Sequence, residues 1–140
     1  LVRVTEPRES PVVRADPVEL QQVLINLISN AADAMQGQSA DRVIDIKIGS
    51  QRCGDLIMRV EDSGPGLSAD AIDSLFDPFF TTKPGGMGMG LQICRTIVES
   101  FEGKIWASNR DQGGAVIQFS LPAASVVSWR SVENQADLTQ

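Results

Sequence analysis

Apolar residues recur along this chain with two periods. Alternation with polar neighbours marks residues 1–7 (LVRVTEP), 12–16 (VVRAD), 43–50 (VIDIKIGS), 56–62 (LIMRVED), 104–109 (KIWASN) and 114–122 (GAVIQFSLP) as strands. Spacings of three and four mark a helix over residues 17–36, whose stripe is Leu20, Val23, Leu24, Leu27, Ile28, Ala31 and Met35. A second helix spans residues 89–101, with Leu91, Cys94, Ile97, Val98 and Phe101 inward. Asp16-Pro17 supplies the first helix with an N-cap and a first-turn proline, and Gly37 stops it. Residues 68–76 form a short helix behind the N-cap Ser68, and Gly103 is expected at C′ of the last helix. A loop over residues 37–42, a Cys-Gly-Asp turn at 53–55 and a hairpin turn at Asp111-Gln112-Gly113 separate the strands. The strict βαβ rhythm is absent and several strands are hairpin neighbours, so the pattern predicts an α/β fold with one mixed sheet and helices layered on one face. Periodicity fades from Ala123, which leaves residues 123–140 as a frayed or partner-docked tail after a domain over residues 1–122.

Polar residues interrupt that pattern at three places. On the first helix Asn26 and Asn30 are four apart and Asp33 follows at i+3, so all three share a face. They are either the solvated side of an amphipathic helix or a set of hard oxygen donors suited to Mg²⁺; asparagine is a mediocre helix former, which favours a role for it. Asp62 ends a strand and runs into Ser63-Gly64-Pro65-Gly66. It is either an ordinary turn aspartate or a fixed acceptor at a pocket wall, able to take a hydrogen bond from an exocyclic amine.

The third place is residues 75–91, LFDPFFTTKPGGMGMGL. An apolar anchor (Leu75, Phe76, Pro78, Phe79, Phe80) leads through Thr81, Thr82 and Lys83 into Gly85, Gly86, Gly88 and Gly90, directly ahead of a helix. Glycines at this spacing let successive N–H groups converge on one anion from a helix N-terminus, which is how phosphate is held without a dedicated side chain. A glycine-rich loop on its own is equally a mobile surface loop.

Composition narrows the choice. The 140 residues carry 42% hydrophobic and 21% charged side chains, an ordinary soluble globular balance with enough chain for a core. A formal charge of −6 argues against a nucleic-acid-binding surface. An acidic protein that binds a polyphosphate needs a cation to offset repulsion, so a divalent ion is expected. Cys53 and Cys94 have neither metal-ligand spacing nor a disulfide framework, which fits a reducing compartment; Cys94 reads as core and Met87 as loop filler. No apolar run approaches a membrane span and no signal peptide is visible. Histidine is absent from all 140 residues.

NLISNAADA (26–34), DSGPG (62–66), FDPFFTTK (76–83) and GMGMGL (86–91), in that order, resemble the N, G1, F and G2 boxes of the catalytic, ATP-binding domain of sensor histidine kinases. The spelling is most similar to the nitrogen-regulation, oxygen-sensing and dicarboxylate-sensing group. The resemblance covers roughly residues 1–122 and implies the two-layer α/β sandwich of the Bergerat type, a mixed sheet against about three helices. ATP would lie under a mobile lid. It further implies Asn30 as Mg²⁺ ligand with Asn26 supporting it, and Asp62 as acceptor from the adenine amino group. Gly64 and Gly66 would let the base approach the backbone, Phe76, Phe79 and Phe80 would anchor the lid, and Lys83 would contact phosphate. Thr81 and Thr82 lie in the lid hinge, Gly86, Gly88 and Gly90 would wrap the triphosphate, and the helix from Leu91 would point at it.

The same superfamily includes gyrase-type topoisomerases, heat-shock chaperones and mismatch-repair ATPases, in which a glutamate four residues before the metal-binding asparagine activates water. Here that position is Asn26, an amide that cannot act as a base, so the resemblance implies transfer to a protein acceptor over hydrolysis. Two features depart from the pattern: Asp33 stands where many relatives carry lysine or arginine, and Phe101-Glu102-Gly103 replaces His-Gly-Gly. With no histidine, the acceptor would be supplied by the dimerisation domain of a parent kinase, with a response regulator receiver domain downstream. The implied compartment is the bacterial cytoplasm, whether or not the parent is membrane-anchored, with no membrane contact by this domain. The competing readings are a hydrolysing ATPase of the superfamily, and a nucleotide-binding interaction module without transfer.

Overall fold

A computed structural model describes residues 1–9, 11–81 and 90–124. The elements are β1 (Val2–Thr5), α1 (Pro17–Ala34), β2 (Ile44–Ser50), β3 (Leu56–Asp62), α2 (Ala69–Ser74), α3 (Gly90–Ser100), β4 (Lys104–Asn109) and β5 (Ala115–Leu121).

Two helices, α1 and α2, begin where a side chain satisfies some of the first free N–H groups. The Asp16 carboxylate accepts from the amides of Val18 at 2.8 Å and Glu19 at 3.2 Å, and Pro17 occupies the first turn, where a missing N–H costs nothing. Ser68 caps α2 by accepting from the Ala71 amide at 3.1 Å. At its other end α1 stops at Ala34, about two residues before the expected Gln36. The amides of Met35 and Gln36 turn back to the carbonyls of Ala32 and Asp33, and Gly37 takes the left-handed conformation at φ 75°.

The strands form one five-stranded mixed sheet in the order β1-β2-β3-β5-β4. Only the β1–β2 pairing is parallel; β2–β3, β3–β5 and β5–β4 are antiparallel. The expected α/β architecture, a mixed sheet against three helices, is the one observed. The core lies between the sheet and the helical layer. It joins Val23, Leu27, Ala31 and Met35 of α1 and its C-cap to Ile44, Ile46, Leu56, Met58 and Val60 of the sheet. Cys94 and Val98 of α3 close it with Phe119 and Leu121 of β5. The sheet residues alternate along each strand, as one buried face requires, and fully burying a side chain such as Phe119 contributes about 1.5–3 kcal/mol.

On the opposite face the side chains pair with one another. Arg3 grips Asp45 through both carboxylate oxygens at 2.6 and 2.8 Å, Lys47 reaches Glu61 at 3.0 Å, and Arg59 donates to Gln118 at 2.8 Å.

Three expectations change. Residues 12–16 do not form a strand: Val13 makes a single antiparallel bridge with Ala123, because prolines at 11 and 17 withhold N–H donors on either side. The left-handed residue that ends α3 is Glu102, at φ 61°, and not Gly103. Its amide bonds the Glu99 carbonyl while that of Gly103 bonds Val98, the paired closure of a Schellman motif with Glu102 at C′. Phe79, expected as a lid anchor, is 74% exposed and holds φ 64°; Phe76 and Phe80 are partly buried. At the C-terminal side, Ala123 donates to the Asp55 carboxylate at 2.9 Å and Ala124 to the Val12 carbonyl at 2.8 Å. Residues 125–140 of the expected tail lie outside the described residues.

Candidate functional site

Asp62 is the last residue of β3, a strand flanked by β2 and β5, and it is 6% exposed. A buried carboxylate is costly unless hydrogen bonds compensate it. Its Oδ1 accepts from the amide of Gly64 at 2.9 Å and from that of Ala115, across the sheet, at 3.2 Å. Both backbone donors take the same oxygen, and no buried side-chain oxygen among the described residues lacks a partner, so Oδ2 remains accessible to a further donor. The turn that follows is shaped by close approach. A Cβ at Gly64 would lie 2.9 Å from Asp62 Oδ1 and 3.4 Å from both Ala34 O and Met35 Cγ, so this turn packs against the C-terminal end of α1. Gly66 adopts φ 83°, which glycine alone takes without strain.

One flank of α1 leads away from that turn. Asn26, Asn30 and Asp33 are all half-buried, as their shared face requires. The Asn26 side chain receives a hydrogen bond from Gln22 at 3.1 Å and donates to the carbonyl of Gly90, the first residue of α3, at 3.3 Å. Leu91 packs partly against the core beside it. The N-terminus of α3, with its free N–H groups and partial positive charge, is thereby held against the same flank of α1.

Of the residues singled out in the sequence, Asp62 and Gly64 meet at the C-terminal end of α1, and Asn26 meets Gly90 at its middle. Phe80 is half-buried and donates its amide to Asp77 O at 3.3 Å, and Thr81 is exposed. Thr82, Lys83, Gly86 and Gly88, with Gly85 and Met87, lie outside the described residues.

Cys94, directly beneath Asn26, is fully buried, and its thiol lies 3.8 Å from Val23 O. Burial pushes its pKa up to about 11, so it is a neutral core side chain and not a nucleophile.

The sequence places a hairpin turn at Asp111-Gln112-Gly113 between β4 and β5, but it gives Asn109 and Arg110 beside that turn no part in the site. Asn109 holds Leu67 through both its amide groups, at 2.7 and 2.8 Å, and Arg110 donates to Asp62 O at 3.0 Å. Nothing local in Asn109-Arg110-Asp111 signals this; the pairing of β3 with β5 brings residues nearly fifty positions apart side by side.

The profile of the family described as histidine kinase-, DNA gyrase B- and HSP90-like ATPases matches residues 15–125. This chain belongs to that family. Similar proteins include the sensor protein FixL of Bradyrhizobium diazoefficiens, 46% identical over 80% of this chain and 22% of that protein. The C4-dicarboxylate transport sensor protein DctS of Rhodobacter capsulatus is 43% identical over 80% of this chain and 17% of its own length. The chain therefore spans about a fifth of these relatives. Among solved structures, the nucleotide-free catalytic domain of the histidine kinase ThkA superposes with a TM-score of 0.75 at 36% identity, covering 87% of this chain and 78% of that one. Full-length ShkA, solved in complex with AMPPNP, gives a TM-score of 0.75 at 25% identity over 88% of this chain and 25% of its own. No helix among the described residues is long and apolar enough to cross a membrane.

Proposed function

We propose that this ATPase-family domain binds Mg-ATP and donates its γ-phosphate to a histidine on the helical dimerisation domain of a parent sensor kinase. The phosphoryl group then passes to a response regulator receiver domain. The observation that carries this reading is Asp62, a buried carboxylate with one oxygen locked by two backbone amides and the other left for an exocyclic amine such as that of adenine. Gly64 and Gly66 let the turn beside it pack closely on Asp62, the end of α1 and Asn109, which fixes the carboxylate's surroundings.

The residues fit the nucleotide and its ion. Asn30 offers a hard amide oxygen one turn from Asn26, and Mg²⁺ is commonly held by one or two protein oxygens together with substrate phosphates. When bound, the ion would neutralise phosphate charge. The chain's own residues would orient the nucleotide: Asp62 at the base, Asn30 and Asp33 along α1, Phe80, Thr81, Thr82 and Lys83 at the lid, Gly86, Gly88, Gly90 and Leu91 around the phosphates.

Transfer is favoured over hydrolysis by Asn26. Its amide is occupied by Gln22 and Gly90, and an amide cannot take a proton from water at neutral pH. None of the 140 residues is histidine, so the acceptor comes from elsewhere in the parent or from another chain. Residues 1–122 would form the catalytic unit, with 123–140 as its extension. Two free thiols, one exposed, suit the reducing cytoplasm.

Calorimetric titration of ATP, with and without Mg²⁺, into the chain and its Asp62→Asn variant tests the site. Magnesium-dependent binding that weakens in the variant is expected. Labelled ATP with a histidine-bearing helical pair tests the reaction: label on the histidine supports it, whereas steady phosphate release with no labelled acceptor points to an ATPase.

A further inference from the structure

The DSGPG turn is gripped from outside by the β4–β5 turn. Regular pairing of β3 ends at Asp62 on one side and Glu61 on the other, so residues 63–67 have no strand ladder to define them. Ser63 is tied to Val43 and Asp41, and four contacts from residues 109–115 hold Asp62 and the far end of the turn. Asn109 accepts from the Leu67 amide and donates to the Leu67 carbonyl, and its Oδ1 lies 2.9 Å from where a Cβ at Gly66 would fall. Ala115 donates to Asp62 Oδ1. Gly114 adopts φ 98° and lies so close to Asp62 O that no Cβ could be placed there. Arg110 donates from Nη1 to that same carbonyl at 3.0 Å.

Arg110 is itself held. Its side chain is 19% exposed, and Nε lies 3.7 Å from Oε2 of Glu61, a buried carboxylate that also receives Lys47. The guanidinium thus spans the side chain of Glu61 and the main chain of Asp62, two adjacent residues that point to opposite faces of the sheet. A planar fork does this without rotating; a lysine ammonium offers only a point charge.

We infer that Arg110 is a positioning residue for adenine recognition: by fixing the main chain of Asp62 from the open face of the sheet, it sets the direction of the carboxylate on the helical face. This rests on the reading of Asp62 as the acceptor of the adenine amino group. A merely structural Arg110, neutralising Glu61, would affect stability and leave base selectivity untouched. Because Arg110 acts through the main chain of Asp62 and from the opposite face of the sheet, its loss lowers selectivity for the amino group and spares affinity for the phosphates.

The test compares ATP with purine riboside triphosphate, which lacks only the amino group, by calorimetry on the chain, Asp62→Asn, Arg110→Met and Arg110→Lys. A hydrogen bond to a charged acceptor corresponds to about 10–100-fold preference for ATP in the parent chain. Arg110→Met should lose most of that preference while its affinity for purine riboside triphosphate stays within about twofold, with Arg110→Lys in between. Amide exchange at Gly64 and Ala115, the two donors to Asp62, should quicken in nucleotide-free Arg110→Met. If Arg110→Met does not fold, Glu61→Gln combined with Arg110→Met removes the ion pair without stranding a buried charge, and the same loss of preference is expected. An unchanged preference in either variant overturns the inference. A parent chain that prefers neither triphosphate, with Asp62→Asn indistinguishable from it, overturns the adenine reading and the inference with it.

Discussion

The side-chain amide of Asn26 donates to the carbonyl of Gly90 at 3.3 Å, joining the middle of α1 to the first residue of α3. The bond spans 64 positions of sequence and crosses at the point where the glycine-rich run enters its helix. Gln22 orients the amide from one turn earlier, at 3.1 Å. Truncation to Asn26→Ala is expected to cost about 1 kcal/mol in urea denaturation, the ordinary worth of one intramolecular hydrogen bond. Amide exchange should rise in the first turn of α3 and stay unchanged in β5. Equal protection in both elements of the variant would show that the bond does not hold α3.

Glu102 and Gly103 make a paired prediction. Glu102 holds a left-handed conformation that glycine adopts freely, so Glu102→Gly should be neutral or stabilising by up to about 1 kcal/mol. Gly103 instead lies against Ser120 O, where a Cβ would overlap backbone. Gly103→Ala should destabilise severely, by about 2 kcal/mol or more, since neither β4 nor β5 can yield without breaking their ladder. Thermal unfolding of the two variants should move in opposite directions.

Cys94 gives the fold an alkaline weakness. Burial raises the thiol to about 11, whereas an unfolded cysteine ionises near 8.5, so above that pH the unfolded chain binds fewer protons than the folded one. Stability contributed by the neutral thiol is fully present below about 8.5 and is lost as pH rises toward 11, by about 3 kcal/mol at the end of the window. Denaturation of the chain and of Cys94→Val at pH 7, 9 and 10.5 should show the parent losing its relative stability step by step. At pH 8 a thiol reagent should modify exposed Cys53 and spare Cys94 until unfolding.

The first strand has an acid sensitivity of its own. The hydrogen bond from Arg3 is the main cause holding the Asp45 carboxyl below its ordinary value, and the pair is β1's side-chain tie to β2. A lowered carboxyl contributes stability above about pH 3.9 and loses it as pH falls through the lower folded value. Arg3 is 56% exposed, so solvent screens the pair and its contribution is small. Asp45→Asn should therefore be slightly less stable than the parent at pH 7, and the gap should close in denaturant midpoints taken between pH 4 and pH 2.

Local chemistry was enough to place the elements that define the fold. The i, i+4 stripe of α1, the Asp16-Pro17 and Ser68 starts, and the alternation of β2, β3, β4 and β5 are read within windows of ten to twenty residues, because cap bonds and one-sided burial act over that range. The same locality made Asn26, Asn30, Asp33, Asp62 and the glycines legible as a group, since each box is contiguous in sequence.

Tertiary structure decided what no window contains. Whether residues 12–16 pair as a strand depends on a partner at Ala123, more than a hundred positions away. Which residue of Glu102-Gly103 must be glycine depended on Ser120 of β5, not on the helix end, so the steric need won over the conformational one. The β4–β5 turn acquires its part in the site only when strand pairing sets Arg110 against Asp62 and Asn109 against Leu67. Hydrogen bonds and close contacts act over about 3 Å, and which groups fall within that distance is set by how the sheet assembles, not by distance along the chain.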